Sequence, residues 1–481
     1  MVITNPFYRR TENTRSNWGH TFELTPEHLS PELYEHLRHT YDVLGEQALD
    51  RVNEISPPTT NIIPRNNSQH STDLPKTTDD SKTQEKKPAG RDVYQILKDN
   101  LEKDELLKKF WTEITTVPEW VDWEQIARGQ DCFYRYGGAN LTGLAYMSLL
   151  GGFGAAKIVE TLARTGGFST KIARNRIFET TQYILQCTQS IESLRPDGEA
   201  FKSTVRVRLL HASVRHRIMK LAQTRPEYYN VEEYGMPIND LDAIGTIASF
   251  SSTLIWLALP RQGIYMKKQE IADYVALWRY IAYMIGAPTE GYFDTVDNAR
   301  RILDNIMLHE INPSPTSKIL ASNMIKALAG QAPSYASADF LIASARWMNG
   351  NELMDALGLP RPSIYYWALM AGQCAFFCFF SYAARLFPNW DKAKNERLKG
   401  VFYRIIVHSK DGLKGQESMF DFKYIPQYST ITEMAEAEEE YKTTGSVEWR
   451  NLRSFVILVG TVSAMTLLSA KAVSVAWSFL R

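Results

Sequence analysis

The chain has little from which a covalent or bare-metal framework could be built. Its four cysteines, Cys132, Cys187, Cys374 and Cys378, include no CxxC pair. Free buried thiols are therefore expected, in a reducing or membrane-embedded setting, rather than a disulfide scaffold. Net charge is absent too: 54 Lys and Arg stand against 54 Asp and Glu. That balance excludes a nucleic-acid binder driven by bulk electrostatics. No GxSxG, HExxH or post-strand GxGxxG occurs, which sets aside hydrolase, zinc-protease and nucleotide-binding chemistry. Met1–Arg10 holds no apolar run, so no signal peptide is expected. No stretch alternates as a strand does, so the 481 residues are read as all-α.

Thr25-Pro-Glu-His and Ser30-Pro-Glu-Leu both read as helix starts with proline at the first helical position, followed by one helix through Leu33–Arg51. His36 and His39 share a face of it but lack the further ligands a metal needs. Residues 55–91 are dense in Pro, Asn, Ser, Asp, Lys and Gln and read as a disordered linker. From Asp92 onward the pattern is helical. Gly151-Gly-Phe-Gly154 shares glycines with a phosphate loop. It lacks the lysine and joins two helices, so it reads as close helix packing or a bend beside a cofactor. Helices are expected over Ala155–Arg164, Lys171–Ile191, Leu241–Leu259 (capped by Asn239 or Asp240) and Lys268–Ile285. Tyr365–Ala384 carries no formal charge and is long enough either to dip into a membrane or to fill a core. Asn389–Pro426 reads as a polar loop, and Thr432–Tyr441 as an acidic solvated face. Ser454–Leu480 is apolar apart from Lys471, which can snorkel, and carries Trp477 at headgroup level. It reads as a C-terminal anchor.

One stretch organises the rest: Arg206-Val-Arg-Leu-Leu-His-Ala-Ser-Val-Arg-His216. Val207, Leu210, Val214 and Ile218 share one helical face, with His211 beside the stripe and Arg208 and Arg215 a turn to either side. Two readings fit: a core histidine hydrogen-bonded to a neighbour, or a haem ligand with the arginines at the propionates.

Several segments together decide between them: Trp123-Glu-Gln-Ile-Ala-Arg-Gly-Gln-Asp-Cys-Phe-Tyr-Arg-Tyr-Gly, Gly151-Gly-Phe-Gly-Ala, Leu162-Ala-Arg-Thr-Gly, the His211 stretch, and Gly235-Met-Pro-Ile-Asn-Asp-Leu-Asp. They resemble the rubber oxygenase (latex-clearing protein) and ER-bound oxygenase family. The likeness is strongest to its fungal branch, which includes the farnesyl-cleaving oxygenase of the mycophenolic-acid pathway, and it runs from about Asp92 to Pro388. The resemblance implies a single all-α domain that binds haem b and cleaves an isoprenoid C=C bond with O₂ to give carbonyl products. It implies His211 as the iron ligand, which leaves Arg208 or Arg215 as propionate candidates, and Arg176 and Thr180 as an arginine–threonine pair near the haem. Glu160 falls where rubber-cleaving members place a base for the allylic proton. Those members carry a lysine just before the threonine. This chain has Glu179, which cannot mimic an ammonium cap. Without the family, Glu160 reads equally as a surface charge, and Arg176 and Thr180 as an ordinary exposed pair.

The expected organisation is then a helical extension (1–54), a linker (55–91), a helical oxygenase-like domain (92–426), an acidic connector (427–453) and a transmembrane anchor (454–480). The expected partners are O₂, a membrane and a hydrophobic prenylated or terpenoid molecule, and no nucleic acid. The expected location is the endoplasmic reticulum or another endomembrane, with the main domain cytosolic. The alternatives are a non-catalytic haem- or lipid-binding protein of the same fold, and a membrane scaffold without a cofactor.

Overall fold

The computed structural model describes residues 10–58, 91–420 and 444–479; the expected linker and the acidic run at 432–441 fall almost wholly or wholly outside them. Among the described residues the architecture is all-α, apart from one short antiparallel hairpin, β1 (Thr14–Asn17) and β2 (His20–Glu23). That hairpin departs from the sequence reading. Four-residue strands carry too few alternations to be seen as a pattern. What holds the hairpin is tertiary: His20 Nε2 lies 2.6 Å from Asp304 Oδ1, and the Trp18 indole donates to Ile311 O at 3.0 Å.

Thr25 starts a turn, not a helix: its carbonyl accepts from His28 N at 3.1 Å. The helix expected over Leu33–Arg51 is two, α1 (Pro31–His39) and α2 (Val43–Ile55). The break has a cause. Asp42 caps α2 by accepting from Gly45 N at 3.0 Å, and Thr40 O and Arg38 O accept from Asp240 N and Met236 N. The chain is thus pinned between the helices by partners some 200 residues away.

The body is built around α3 (Trp123–Arg135), α4 (Ala156–Arg164), α5 (Ala173–Gln189), α6 (Glu199–Thr224), α7 (Asp240–Phe250) and α8 (Lys268–Met284). Asp122 caps α3 at Glu124 N (2.9 Å), and Asn239 caps α7 at Asp242 N (2.8 Å). On α8, Tyr274, Leu277, Trp278 and Ile281 are all buried, as their shared face requires. The uncharged run after Asp242 does not stay regular. Ser251 back-bonds to Ile247 O and Ser252 to Ala299 O, both at 2.7 Å, and the chain resumes as a wide turn over Leu254–Ala258. Gly151–Gly154 is a single 3-10 turn in close packing, since a Cβ at Gly151 would lie 2.1 Å from Asn349 Oδ1.

Further helices follow, among them Val296–His309, Pro315–Leu328 and Ala338–Asn349, and towards the C-terminus α9 (Ile364–Leu386), α10 (Pro388–Tyr403) and α11 (Ser446–Phe479). The expected loop at Asn389–Pro426 therefore begins as a helix. Its buried positions are polar, Asp391 and Asn395, and they face α3: Arg135 Nε donates to Asp391 Oδ2 at 2.7 Å and Lys394 Nζ to Arg135 O at 2.8 Å. A helix seated through polar contacts shows no apolar period, which is why hydrophobic spacing misses it. All four cysteines are free, three of them buried.

Candidate active site

α6 is the longest helix inside the body, and α2, α5 and α8 pack around it. His211 projects from its middle. The imidazole lies deep, and burial, followed by the nearby Arg215 charge, pushes its pKa down to about 4. It is thus neutral at physiological pH. It nevertheless keeps accessible surface, unlike the closed core around it. Tyr146 and Asp242 combine depth and accessibility in the same way. No described residue hydrogen-bonds to the His211 ring. By contrast, His216, five positions on, is exposed and meets Asp50 Oδ1 at 3.2 Å.

Arg176 on α5 comes close enough for its charge to act on His211. Its Nη1 donates to Glu179 Oε2 at 2.9 Å, and a Cβ at Gly167 would sit 3.3 Å from its Nε. Glu179 also accepts from Asn175 Nδ2 and Ser418 Oγ, each at 3.1 Å. The residue that replaces an expected lysine therefore neutralises Arg176 and ties α5 to the segment after α10. Thr180 is exposed and has no hydrogen-bond partner among the described residues.

Glu160 on α4 is buried and forms an ion pair with Arg164 one turn later; Arg164 Nη1 also holds Glu160 O at 2.9 Å. The Arg164 guanidinium is fixed by Tyr228 O and lies 5.5 Å from the Tyr229 ring centroid and 6.0 Å from that of Tyr234. The Tyr229 hydroxyl in turn meets Thr161 Oγ1 at 3.1 Å. The pair uses Glu160 Oε2, and Oε1 has no partner among the described residues. The tyrosines and Arg164 escape a reading based on site chemistry, although the Glu-x₃-Arg spacing was an available signal.

The two expected propionate arginines are occupied otherwise. Arg208 Nε and Nη2 donate to Asp42 at 2.7 and 2.8 Å, and Nη2 also donates to Glu113 Oε1 at 2.7 Å. Arg215 donates to Pro237 O at 3.1 Å and Ile238 O at 2.9 Å. Arg206 is bidentate to Asp92. These arginines clamp the N-terminal segment and the Gly235–Asn239 turn onto α6, and two carboxylates already neutralise Arg208. Gly286 serves the same clamp. It sits at φ +81°, and a Cβ there would lie 2.6 Å from Arg208 Nε. Among the described residues no group of three or more His, Cys, Asp or Glu is placed to hold a bare metal ion.

Residues 134–377, just over half of the chain, match the family model of the ER-bound oxygenase mpaB/B'/Rubber oxygenase catalytic domain. The chain belongs to this family. The matched span contains α4 to α8, and with them Glu160, Arg176 and His211. The rubber oxygenase of Streptomyces sp. (strain K30) is 23% identical over 270 residues. The alignment covers 54% of this chain and 61% of that relative. The structure of latex clearing protein LCP in the closed state matches with a TM-score of 0.45 and 18% identity, covering 62% of this chain and 79% of that one. Membership in the mpaB/rubber oxygenase family and the all-α body agree with the expectation formed from the five sequence segments.

Proposed function

We propose that the protein is a membrane-anchored, haem b-dependent oxygenase that cleaves a C=C bond of a prenyl or terpenoid chain with O₂ to give carbonyl products. The observation that carries this reading is His211: a deep, neutral imidazole that keeps accessible surface and has no hydrogen-bond partner among the described residues. A merely structural core histidine satisfies its nitrogens through neighbours. A haem ligand must present a free lone pair.

The residues fit the group. His211 would hold the iron, and the apolar stripe of α6 would cover the porphyrin. Haem held there would supply the iron chemistry that activates O₂. The chain's own residues do the rest. Glu160 Oε1, without a partner among the described residues, would accept an allylic proton, while Arg164 fixes the carboxylate through Oε2. Arg176, held by Glu179, lies close enough for its charge to act on His211, and Thr180, on the same helix, has a hydroxyl without a partner among the described residues. Arg208 and Arg215 act as structural clamps, not as propionate ligands.

The support for a membrane location is α11. Ser446–Ser474 is long and apolar enough to cross a bilayer, and none of its most apolar window is buried. We place the anchor there, in the endoplasmic reticulum or another endomembrane, with the body cytosolic. The same criteria of length and composition pick out Asp240–Arg261, but it is mostly buried in the body and is read as an interior helix.

The experiment is incubation of the purified, haem-loaded protein with a farnesylated aromatic compound under O₂, followed by detection of aldehyde or ketone products. Carbonyl products that are lost in Glu160→Gln support the reading. A second reading, a non-catalytic haem- or lipid-binding protein of this fold, is favoured by Glu179. It predicts haem binding without products.

A further inference from the structure

α9 and α11 lie side by side and run in the same direction. Near their N-terminal ends Tyr366 neighbours Glu448, whose Oε1 accepts from Ser337 N at 2.9 Å. Further along, Asn451 Nδ2 donates to Gln373 Oε1 at 3.2 Å, and the Arg450 guanidinium lies 4.7 Å from the Phe376 ring centroid. At Gly372 the backbones touch: a Cβ there would lie 1.9 Å from Asn451 O and 2.9 Å from Phe455 N. Past this contact the helices part: the described residues of α11 from Val456 on are exposed, while the end of α9 stays on the body. On α11, Val456 is 61% and Val473 68% exposed.

The end of α9 is apolar and exposed as well. Phe379 is 67% exposed, Leu386 74% and Phe387 61%, with Phe380 and Trp390 packed together at 6.3 Å between centroids. This ledge is not a loose end. Arg385 Nε donates to Tyr136 OH at 2.9 Å, and Tyr382 OH to Gly263 O at 3.1 Å, which fixes it to the body. Just beyond it, Lys392 and Arg397 are exposed and have no ion-pair partner among the described residues. Exposed aromatics on a rigid corner, bordered by free cations, have the composition of the membrane–water boundary.

We propose that the ledge from Phe379 to Trp390 seats in the headgroup–acyl boundary of the leaflet that α11 enters, with Lys392 and Arg397 at the lipid phosphates. This rests on α11 being the membrane anchor, as proposed above. The body is then docked in one orientation instead of swinging on a tether, and lipid-dissolved substrates meet a fixed face.

The test uses the full chain with Cys378→Ser, the three other thiols being buried. Single cysteines at Phe387, Val473 or Lys220 carry an environment-sensitive fluorophore, in vesicles of phosphatidylcholine and phosphatidylserine. Quenching is read with aqueous iodide and with nitroxide-labelled lipid. The expected result is that the probes at 387 and 473 are quenched by the lipid and shielded from iodide several-fold relative to 220. A lipid-quenched probe at 473 with an iodide-accessible probe at 387 overturns the ledge and leaves the anchor standing. A probe at 473 that the lipid quencher does not reach overturns the anchor, and the ledge with it. A probe at 387 shielded from both quenchers points to a protein partner and overturns the bilayer assignment.

Discussion

Arg164 reaches back one helical turn to Glu160, holding its backbone carbonyl at 2.9 Å and its carboxylate through the same Nη1. Both side chains are almost wholly buried. Removing one partner strands the other. Arg164→Met is therefore expected to cost about 3–5 kcal/mol of stability, and the Glu160→Gln, Arg164→Met double variant less than the sum of its parts. Urea unfolding of the four species measures this. Additive losses would mean that the two groups do not support each other.

Acid acts on His211 and Asp242 in opposite directions. His211 falls from 6.5 to about 4 on folding, through burial and then the Arg215 charge. Its contribution is present above pH 6.5 and lost as pH falls towards 4, on the order of 3 kcal/mol. Asp242 moves the other way, from 3.8 up to about 7, through burial and then the charge of Glu310. Its contribution is present below pH 3.8 and lost as pH rises towards 7, on the order of 4 kcal/mol. The two slopes oppose each other in between. In the haem-free chain, relative to wild type, stability of His211→Gln should fall more steeply as pH rises from 4 to 6.5, and that of Asp242→Asn should rise. Denaturant midpoints across that range give the answer, and identical pH profiles for all three would refute the assignment.

Arg208 separates a clamp from a cofactor ligand. Arg208→Met leaves Asp42 and Glu113 without their buried partner and should destabilise the fold by about 3 kcal/mol or more. The folded fraction should keep its haem stoichiometry and Soret position. A folded variant that loses haem would restore Arg208 to the propionates.

Gly372 sits where α9 and α11 share a backbone contact, and no side chain fits there. Gly372→Val should force the helices apart, at about 1–3 kcal/mol. Limited proteolysis should then cut faster near Thr444–Ser446. An unchanged cleavage rate would mean that the contact does not hold the base of α11.

How far the sequence speaks depends on the range over which the physics acts. α8 and the His211 helix were legible because burial of one face imposes a 3.6-residue period on the chain. The Asn239 cap was legible because capping is local. α10 was not, since its buried side chains are the polar Asp391 and Asn395, matched by Arg135 more than 250 residues away. The same holds for the arginines of α6. Their type and spacing were visible, but the carboxylates that claim them, Asp42 and Asp92, lie over a hundred residues upstream. A cation beside a candidate ligand looks the same in sequence whether it awaits a propionate or an aspartate. His211 itself was ambiguous for a related reason: only the structure places it deep, with some accessible surface and no partner among the described residues.

The central claim is that His211 holds haem, and the absorption spectrum tests it most directly. Purified full-length protein supplied with haem b should show a Soret band, and His211→Ala, still helical by circular dichroism, should lose or shift it. A wild-type protein with no Soret band, or an identical band in the folded His211→Ala variant, would contradict the account.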